Sequence, residues 1–171
     1  GNSRVQKFDR NCTYLTQWGT AGTGNGQFTS LFGVAVDPAG NVYTSDFSAN
    51  RIQKFSGAGV AAAEVPAKFL SQWGTSGGGP GQFQRVFDVA ADGAGNVYVL
   101  DDIANRIQKF TSTGTYLSML GSIGSGVGQY NTPGSVACDP SGNVYVLDRG
   151  NSRIDVFNAA GASVTQWGSA G

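Results

Sequence analysis

A phrase that recurs along the chain limits its fold more than any single residue does. The segments Asn41–Asp46, Asn96–Asp101 and Asn143–Asp148 each begin Asn-Val-Tyr and end in Asp. An Arg five residues after each Asp opens a second phrase, which also occurs near the N-terminus as Arg4–Phe8. These Arg positions, 4, 51, 106 and 153, are separated by 47, 55 and 47 residues. The chain is therefore a tandem repeat with a period of 47 residues and one eight-residue insertion, at residues 60–67.

Each period predicts four short β-strands joined by tight turns. In the first complete copy the strands are expected at Phe32–Asp37, Val42–Asp46, Arg51–Phe55 and Phe69–Trp73. The turn Asp37–Gly40 combines an Asp that can bond its own backbone, a Pro with a preset φ and a Gly that permits positive φ. Four antiparallel strands in 40 to 50 residues are typical of a β-propeller blade. The sequence thus predicts an all-β fold of four-stranded antiparallel blades.

The same motifs resemble the NHL repeat, a family of β-propeller blades. The resemblance rests on Gly-Gln-Phe at 26–28, Gly33–Tyr43, Asn50–Phe55 and Gln72–Gly74, which recur at fixed offsets over essentially the whole chain. It implies a ring, most often of six blades, that serves as a binding platform for proteins, RNA or small ligands. Some members of the family are enzymes, such as amidating lyases. One departure is Asp88, where the sister copies have Gly33 and Ser135.

The repeat phase divides the chain into three complete blades and one half blade. The divisions are 1–19 (third and fourth strands of a blade), 20–74 (a blade with the insertion at 60–67), 75–121, 122–168, and 169–171 as the start of another linker. Three and a half blades cannot close a ring, so the ring is expected to be incomplete within this chain. Self-association, strand exchange or further blades of a longer chain would complete it, and a filament is a further arrangement.

Composition argues against catalysis by these residues. The chain has no His, which removes the commonest general base and zinc ligand. No catalytic residue, metal ligand or cofactor is predicted. Eleven basic and eleven acidic side chains cancel, so a nucleic-acid partner is not expected. The alternative is a segment of an enzymatic propeller, lyase-like or hydrolase-like, whose catalytic residues lie outside this chain.

Two sets of repeated residues are interpreted as structural because a catalytic residue needs to occur once, whereas a structural device occurs in every blade. Each Asp is expected to accept bonds from nearby backbone amides or to pair with the Arg of its repeat, fixing the loop between the second and third strands. The tryptophans are expected to pack between blades rather than to stack on carbohydrate. These positions are Asp46, Arg51, Asp101, Arg106, Asp148, Arg153, Trp18, Trp73 and Trp167.

Variable positions on a constant frame mark a candidate recognition surface. They fall in the loops between second and third strands and just before first strands, which should share one end of the propeller. The candidates are Phe47, Arg85, Asp102, Ile103 and Arg149. Simple solvent exposure explains such variation equally well. The partner would be another protein or a second copy, or an unidentified small ligand or carbohydrate.

Low charge and abundant Gly, Ser and Thr suit an extracellular or cell-surface structural protein. Asn11 opens an Asn-Cys-Thr glycosylation sequon on a turn, which matters only if the protein is secreted. Cys12 and Cys138 are isolated and are not expected to form a disulfide scaffold. No apolar run approaches the roughly 20 residues of a membrane-spanning helix.

Overall fold

The structure, a computed structural model, describes residues 2–57 and 67–168 of the chain. Of the expected insertion at 60–67 only Ala67 falls within the described residues. The expected linker start at 169–171 lies outside them as well.

Three four-stranded antiparallel sheets and one two-stranded hairpin form the body of the chain. The hairpin consists of β1 (Val5–Phe8) and β2 (Tyr14–Trp18), and short linker strands β3 (Thr20–Ala21) and β4 (Gln27–Phe28) follow. Blade one contains β5 (Leu31–Val36), β6 (Val42–Asp46), β7 (Arg51–Phe55) and β8 (Phe69–Trp73), followed by linker strands β9 (Thr75–Ser76) and β10 (Gln82–Phe83). Blade two contains β11 (Val86–Ala91), β12 (Val97–Asp101), β13 (Arg106–Phe110) and β14 (Tyr116–Leu120). Blade three contains β15 (Pro133–Cys138), β16 (Val144–Asp148), β17 (Arg153–Phe157) and β18 (Ser163–Trp167).

The turn between the first two strands of each blade is held by its Asp. In blade one, the Asp37 carboxylate accepts bonds of 2.8 Å from the Asn41 main-chain N–H and from the Tyr43 hydroxyl. Burial by itself would raise the pKa of Asp37, but the hydrogen bonds from Asn41 and Tyr43 outweigh it and lower the pKa. The buried second strand thus begins at a fixed point, which sets its register against the first strand.

Hydrophobic side chains pack between successive blades. Val89 on β11 belongs to a cluster that includes Tyr43 and Trp73 of blade one, and Val136 on β15 packs with Tyr98 of blade two. Val89 and Val136 are 3% and 4% exposed, whereas Val34, at the same position of blade one, is 59% exposed. A third cluster joins Val5 and Trp18 of the N-terminal hairpin to Phe28, Val42 and Phe55. The hairpin therefore occupies the place of the third and fourth strands of a preceding blade.

The glycine-rich linkers form small closed loops that the sequence did not predict. In the first two, the short strands pair in parallel, Thr20 with Gln27 and Thr75 with Gln82. Gly77 has φ +151°, and a Cβ there would lie 2.4 Å from Oε1 of Gln82. The same Gln82 oxygen accepts a 3.0 Å bond from the Gly79 N–H. Glycine is required because other residues rarely adopt this φ, and the glutamine amide also occupies the space of a side chain.

The all-β prediction of four-stranded antiparallel blades is confirmed, and the sheets do not close a ring within the described residues. The predicted first strand begins one residue earlier, at Leu31, and ends at Val36 because Asp37 already belongs to the turn. Two single-turn 3-10 helices, Phe47–Ala49 and Arg149–Asn151, occupy loops that lead into third strands. No helix of the described part is long and apolar enough to cross a membrane.

Candidate functional site

The repeated Asp and Arg residues form buried ion pairs in all three blades. Asp46 lies 3.2 Å from Arg51, and the pairs Asp101–Arg106 and Asp148–Arg153 are both 3.3 Å apart. The three Asp side chains are fully buried. A buried charge of this kind is tolerated only when it is paired and hydrogen-bonded.

These pairs hold the linker that precedes the blade more than the loop in which they were expected to act. The Asp46 carboxylate accepts bonds from the Thr29 hydroxyl at 2.6 Å and the Ser30 N–H at 2.9 Å. Arg51 donates to the carbonyls of Thr23 at 2.7 Å and Gln27 at 2.8 Å. Because Thr23–Ser30 connects two blades, each Asp–Arg pair fixes the step from one blade to the next. The carboxylates and guanidinium groups are engaged inside the fold.

A glutamine on the third strand serves the same linker. Gln53 accepts from the Gly26 N–H at 2.9 Å and donates to the Gln27 carbonyl at 2.7 Å. Gln108 repeats both bonds in blade two. Blade three has Asp155 instead, which accepts a 2.9 Å bond from Arg153. Burial raises the pKa of Asp155, although the bond and charge of Arg153 oppose this effect.

Lysines on the third strand connect each blade to the next. Nζ of Lys54 donates a 2.8 Å bond to the Ser112 carbonyl of blade two, and Lys109 donates a 3.0 Å bond to Ala159 of blade three. Both ammonium groups also lie over tyrosine rings, at 5.4 Å from the centre of Tyr43 and 5.2 Å from that of Tyr98. The lysine series therefore serves packing between blades.

Trp18 and Trp73 lie at interfaces between blades, whereas Trp167 packs within blade three. The Trp73 ring contacts Tyr43 of blade one and Phe110 of blade two, with ring centres 6.1 and 5.9 Å apart. Trp18 packs 5.9 Å from Phe55, and Trp167, at 48% exposure, packs on Tyr145.

Three of the five residues of the recognition surface come together at one end of the blades. Arg85 donates from Nε to Asp102 at 2.7 Å and makes a second bond to the other oxygen of the same carboxylate. Its guanidinium also lies 5.1 Å from the centre of the Phe47 ring. The hydrogen bonds that Arg85 donates to the Asp102 carboxylate raise the pKa of Arg85, so the cation persists at every physiological pH. The predicted meeting of the two loop sets at one end agrees with this geometry.

Two further aromatic residues extend this surface and were missed in the sequence. The Phe32 ring stacks on Phe47 at 4.7 Å and lies 5.1 Å from Phe87, which in turn lies 6.4 Å from Phe47. We call Phe32, Phe47 and Phe87 the aromatic patch. Phe32 and Phe87 occupy the same position near the start of first strands β5 and β11, and this shared position was the signal available in the sequence. Phe32 is 55% exposed, which leaves a ring open to a ligand.

The other two predicted residues lie apart from this contact set. Ile103 is 50% exposed beside Asp102. Arg149 belongs to blade three, is exposed, and extends over Gly134, whose missing Cβ would lie 3.5 Å from its Cδ. The recognition surface is thus aromatic in blade one, contains an ion pair in blade two and carries a positive charge in blade three.

The remaining candidate positions show no assembled chemistry. Asn11 is exposed in the β1–β2 turn, and its N–H donates to Asp9 at 2.8 Å. Cys12 is exposed, while burial, together with the charges of Asp92 and Asp139, raises the pKa of Cys138 to about 12. Within residues 2–57 and 67–168 no group of three or more His, Cys, Asp or Glu side chains could hold a metal ion.

Comparison with known proteins agrees with the repeat analysis. The family model described as NHL repeat matches residues 33–55 and 130–157. These segments cover the first three strands of blades one and three, so the resemblance to NHL repeats is confirmed there. No curated protein matches the chain.

Solved structures match over nearly the whole chain at low identity. A streptogramin B lyase matches 100% of the chain with a TM-score of 0.67 and 12% identity. A catalytically inactive virginiamycin B lyase from Staphylococcus aureus with quinupristin matches 98% with a TM-score of 0.64 and 13% identity. A functionally unknown protein from Desulfotomaculum acetoxidans matches 96% with a TM-score of 0.64 and 23% identity. At such identities the likeness shows the fold alone.

The chain spans about half the length of each of these structures, 49% of all three.

Proposed function

We propose that this NHL-type chain is a non-catalytic propeller module that acts as an interaction scaffold. The proposal rests on the observation that the repeated polar side chains are engaged in hydrogen bonds inside the fold. In blade one, Asp46, Arg51 and Gln53 are buried and bonded to the linker, and Lys54 is bonded to blade two. A general acid or base must reach a substrate proton, and side chains engaged in this way do not.

The recognition surface is the proposed contact region for a partner protein. The aromatic patch supplies apolar area with little side-chain entropy to lose, and the Arg85–Asp102 pair supplies fixed hydrogen-bonding groups beside it. Aromatic and Arg side chains are the types that dominate binding energy in protein interfaces. A small ligand or carbohydrate stacked on Phe32 is the second occupant this geometry suits.

Completion of the ring belongs to the same proposal. The chain spans half of its structural neighbours, so the missing blades come from further repeats or from a second copy. A filament of exchanged strands is suggested by the incomplete set of blades, and a place outside the cell or at its surface by the composition; both belong to the proposal. The exposed faces of the open blades favour association with other chains over function as a monomer.

Binding at the recognition surface can be tested with a phage-displayed peptide library selected on the chain. Peptides that bind should lose affinity about tenfold or more with Phe32→Ala or Phe47→Ala, a loss of about 1.4 kcal/mol per tenfold. Lys68→Ala, an exposed change away from this surface, is the matched control. Selected peptides that bind all these variants equally would place recognition elsewhere and refute this surface.

The lyase fold neighbours favour one second candidate, a segment of an enzymatic propeller. Incubating the 171-residue chain with quinupristin, and following the intact antibiotic by mass spectrometry, tests it directly. We expect no turnover above buffer. Turnover that is lost on Asp88→Asn, a change at a half-buried carboxylate, would instead establish the enzyme and overturn the scaffold proposal.

A further inference from the structure

A groove lies beside the N-terminal hairpin, between the free edge of β1 and the first strand of blade one. It has a volume of about 610 Å³, and its lining includes Val5, Trp18, Val34, Val36 and Val42. Val34 and Val36 are each 59% exposed in it. Elsewhere in the chain the corresponding space is filled by the first two strands of the preceding blade, which bury Val89 and Val136. The groove is thus the unfilled half of an interface that the described residues build twice.

The polar residues of β1 indicate which kind of strand belongs there. Arg4, Gln6 and Lys7 stand at the positions of Arg51, Gln53 and Lys54. Arg51 and Gln53 are buried through their bonds to a linker, whereas Arg4 and Gln6 are exposed. Within the described residues Arg4 makes no ion pair. The strand therefore carries the full set of residues for a blade whose inner half the described residues do not supply.

In blade three the second strand has the usual residues, but the third strand does not. Its inner strand β16 presents Tyr145 and Asp148, as in the other blades, but its third strand β17 has Asp155 and Val156 in place of Gln and Lys. Val156 cannot lie over Tyr145 as Lys54 lies over Tyr43. Asp155 adds a second carboxylate 2.9 Å from Arg153, a guanidinium that already pairs with Asp148. The inner half of blade three would be better complemented by β1 than by its own β17.

We propose that the groove binds the inner hairpin β15–β16 of a second copy of this chain, which exchanges its own β17–β18 for β1–β2. This deepens, and rests on, the proposed completion of the ring. The register follows from the pairing of β16 with β17, in which Tyr145 faces Val156, Leu147 faces Ile154 and Asp148 faces Arg153. In the exchanged blade Tyr145 faces Lys7, Leu147 faces Val5 and Asp148 faces Arg4.

Reciprocal exchange closes a symmetric ring. Each copy contributes blades one and two, and two hybrid blades join the copies, which gives six blades related by a twofold axis. Gln6 then reaches the linker of the second copy at Gly128 and Gln129, as Gln53 reaches Gly26 and Gln27. The face carrying Val34 and Val36 is covered by β15–β16, which offsets the loss of β17–β18.

The mass of the 171-residue chain in solution is the first test. Sedimentation or native mass spectrometry should give a concentration-dependent dimer of twice 17.6 kDa. A particle that remains 17.6 kDa at all concentrations, with its groove open to a different partner, overturns the proposal. The scaffold proposal is tested separately by peptide binding and survives that result.

A cross-link reports the register. In a background of Cys12→Ser and Cys138→Ala, a chain with Val5→Cys is mixed with one carrying Leu147→Cys. Residues directly opposite in an antiparallel pair lie within disulfide range, so mild oxidation should yield the mixed dimer. Val164→Cys, an exposed position on β18 outside the proposed pair, is the matched control. Equal cross-linking of the control, or none at Leu147→Cys in a chain that dimerises, overturns the exchange.

Two double variants test whether the side chains of β1 and β17 cause the strand exchange. Asp155→Gln with Val156→Lys makes β17 a full match for β16, and should raise the dimer Kd about tenfold or more. Gln6→Asp with Lys7→Val gives β1 the residues of β17 and should act in the same direction. A dimer unaffected by both pairs would show that these residues do not select the exchange. Circular dichroism of each variant confirms that it folds.

Discussion

The carboxylate of Asp88 on β11 accepts a 2.8 Å hydrogen bond from Oγ of Ser135 on β15, in the next blade. The same oxygen accepts from the Val136 N–H at 3.1 Å, and the other accepts from the Val89 N–H at 2.9 Å. A side chain that departs from the repeat thus connects the inner strands of blades two and three.

Asp88→Ala should lower the free energy of unfolding by about 1–3 kcal/mol, because it leaves polar groups between the blades without an acceptor. Urea unfolding measures the change. Asp88→Asn keeps one acceptor oxygen and is the matched control, with an intermediate loss. An Ala variant as stable as the parent would show that solvent satisfies these groups.

Asp155→Gln should stabilise the chain at neutral pH, since it restores the residue of blades one and two and removes a buried charge. Burial raises the pKa of Asp155 in the folded state above its ordinary value of 3.8, so the folded chain binds this proton more tightly than the unfolded chain. The penalty of the ionised carboxylate is complete above the raised pKa and fades as the pH falls toward 3.8. The gain from Asp155→Gln should therefore shrink on acidification.

Thermal or urea unfolding between pH 7 and pH 4 measures this gain. Gln108→Asp is the reverse change in blade two and should be destabilising at pH 7. A gain from Asp155→Gln that is constant with pH would contradict the assignment of the penalty to ionisation.

Tyr130→Phe should leave the chain equally stable or raise the free energy of unfolding by about 1–3 kcal/mol. Tyr130 is fully buried, and its hydroxyl has no hydrogen-bond partner among the described residues. The sister copies have Phe28 and Phe83 at this position, both fully buried. Phe83→Tyr is the matched converse and should be destabilising. A marked loss of stability in Tyr130→Phe would reveal an ordered partner for the hydroxyl.

Lys54→Met should cost about 1–2 kcal/mol, because the bond to the Ser112 carbonyl and the contact with Tyr43 are both lost. Chemical unfolding gives the change, and Lys68→Met, an exposed position, should have little effect. If the two variants lose equal stability, the bond between blades contributes nothing measurable.

The sequence by itself determined the repeat, the blade and the strands. Tandem phrases such as Asn41–Asp46 repeat because every blade must bury the same strand and close the same turn, so local chemistry is enough to place them. The loop pair Phe47 and Arg85 was also predicted to share one end, since alternating strands bring both loops there.

Only the tertiary structure decided where the repeated side chains reach. Asp46 binds Thr29 and Ser30 across 17 and 16 residues, and Lys54 binds Ser112 across 58. The repeat pattern does not predict which residues meet over such separations. Phe32 joined the aromatic patch because blade packing brings its ring against Phe47 and Phe87. The repeat determines the strands and turns within each blade. The contacts between blades depend instead on how the linkers orient one sheet against the next.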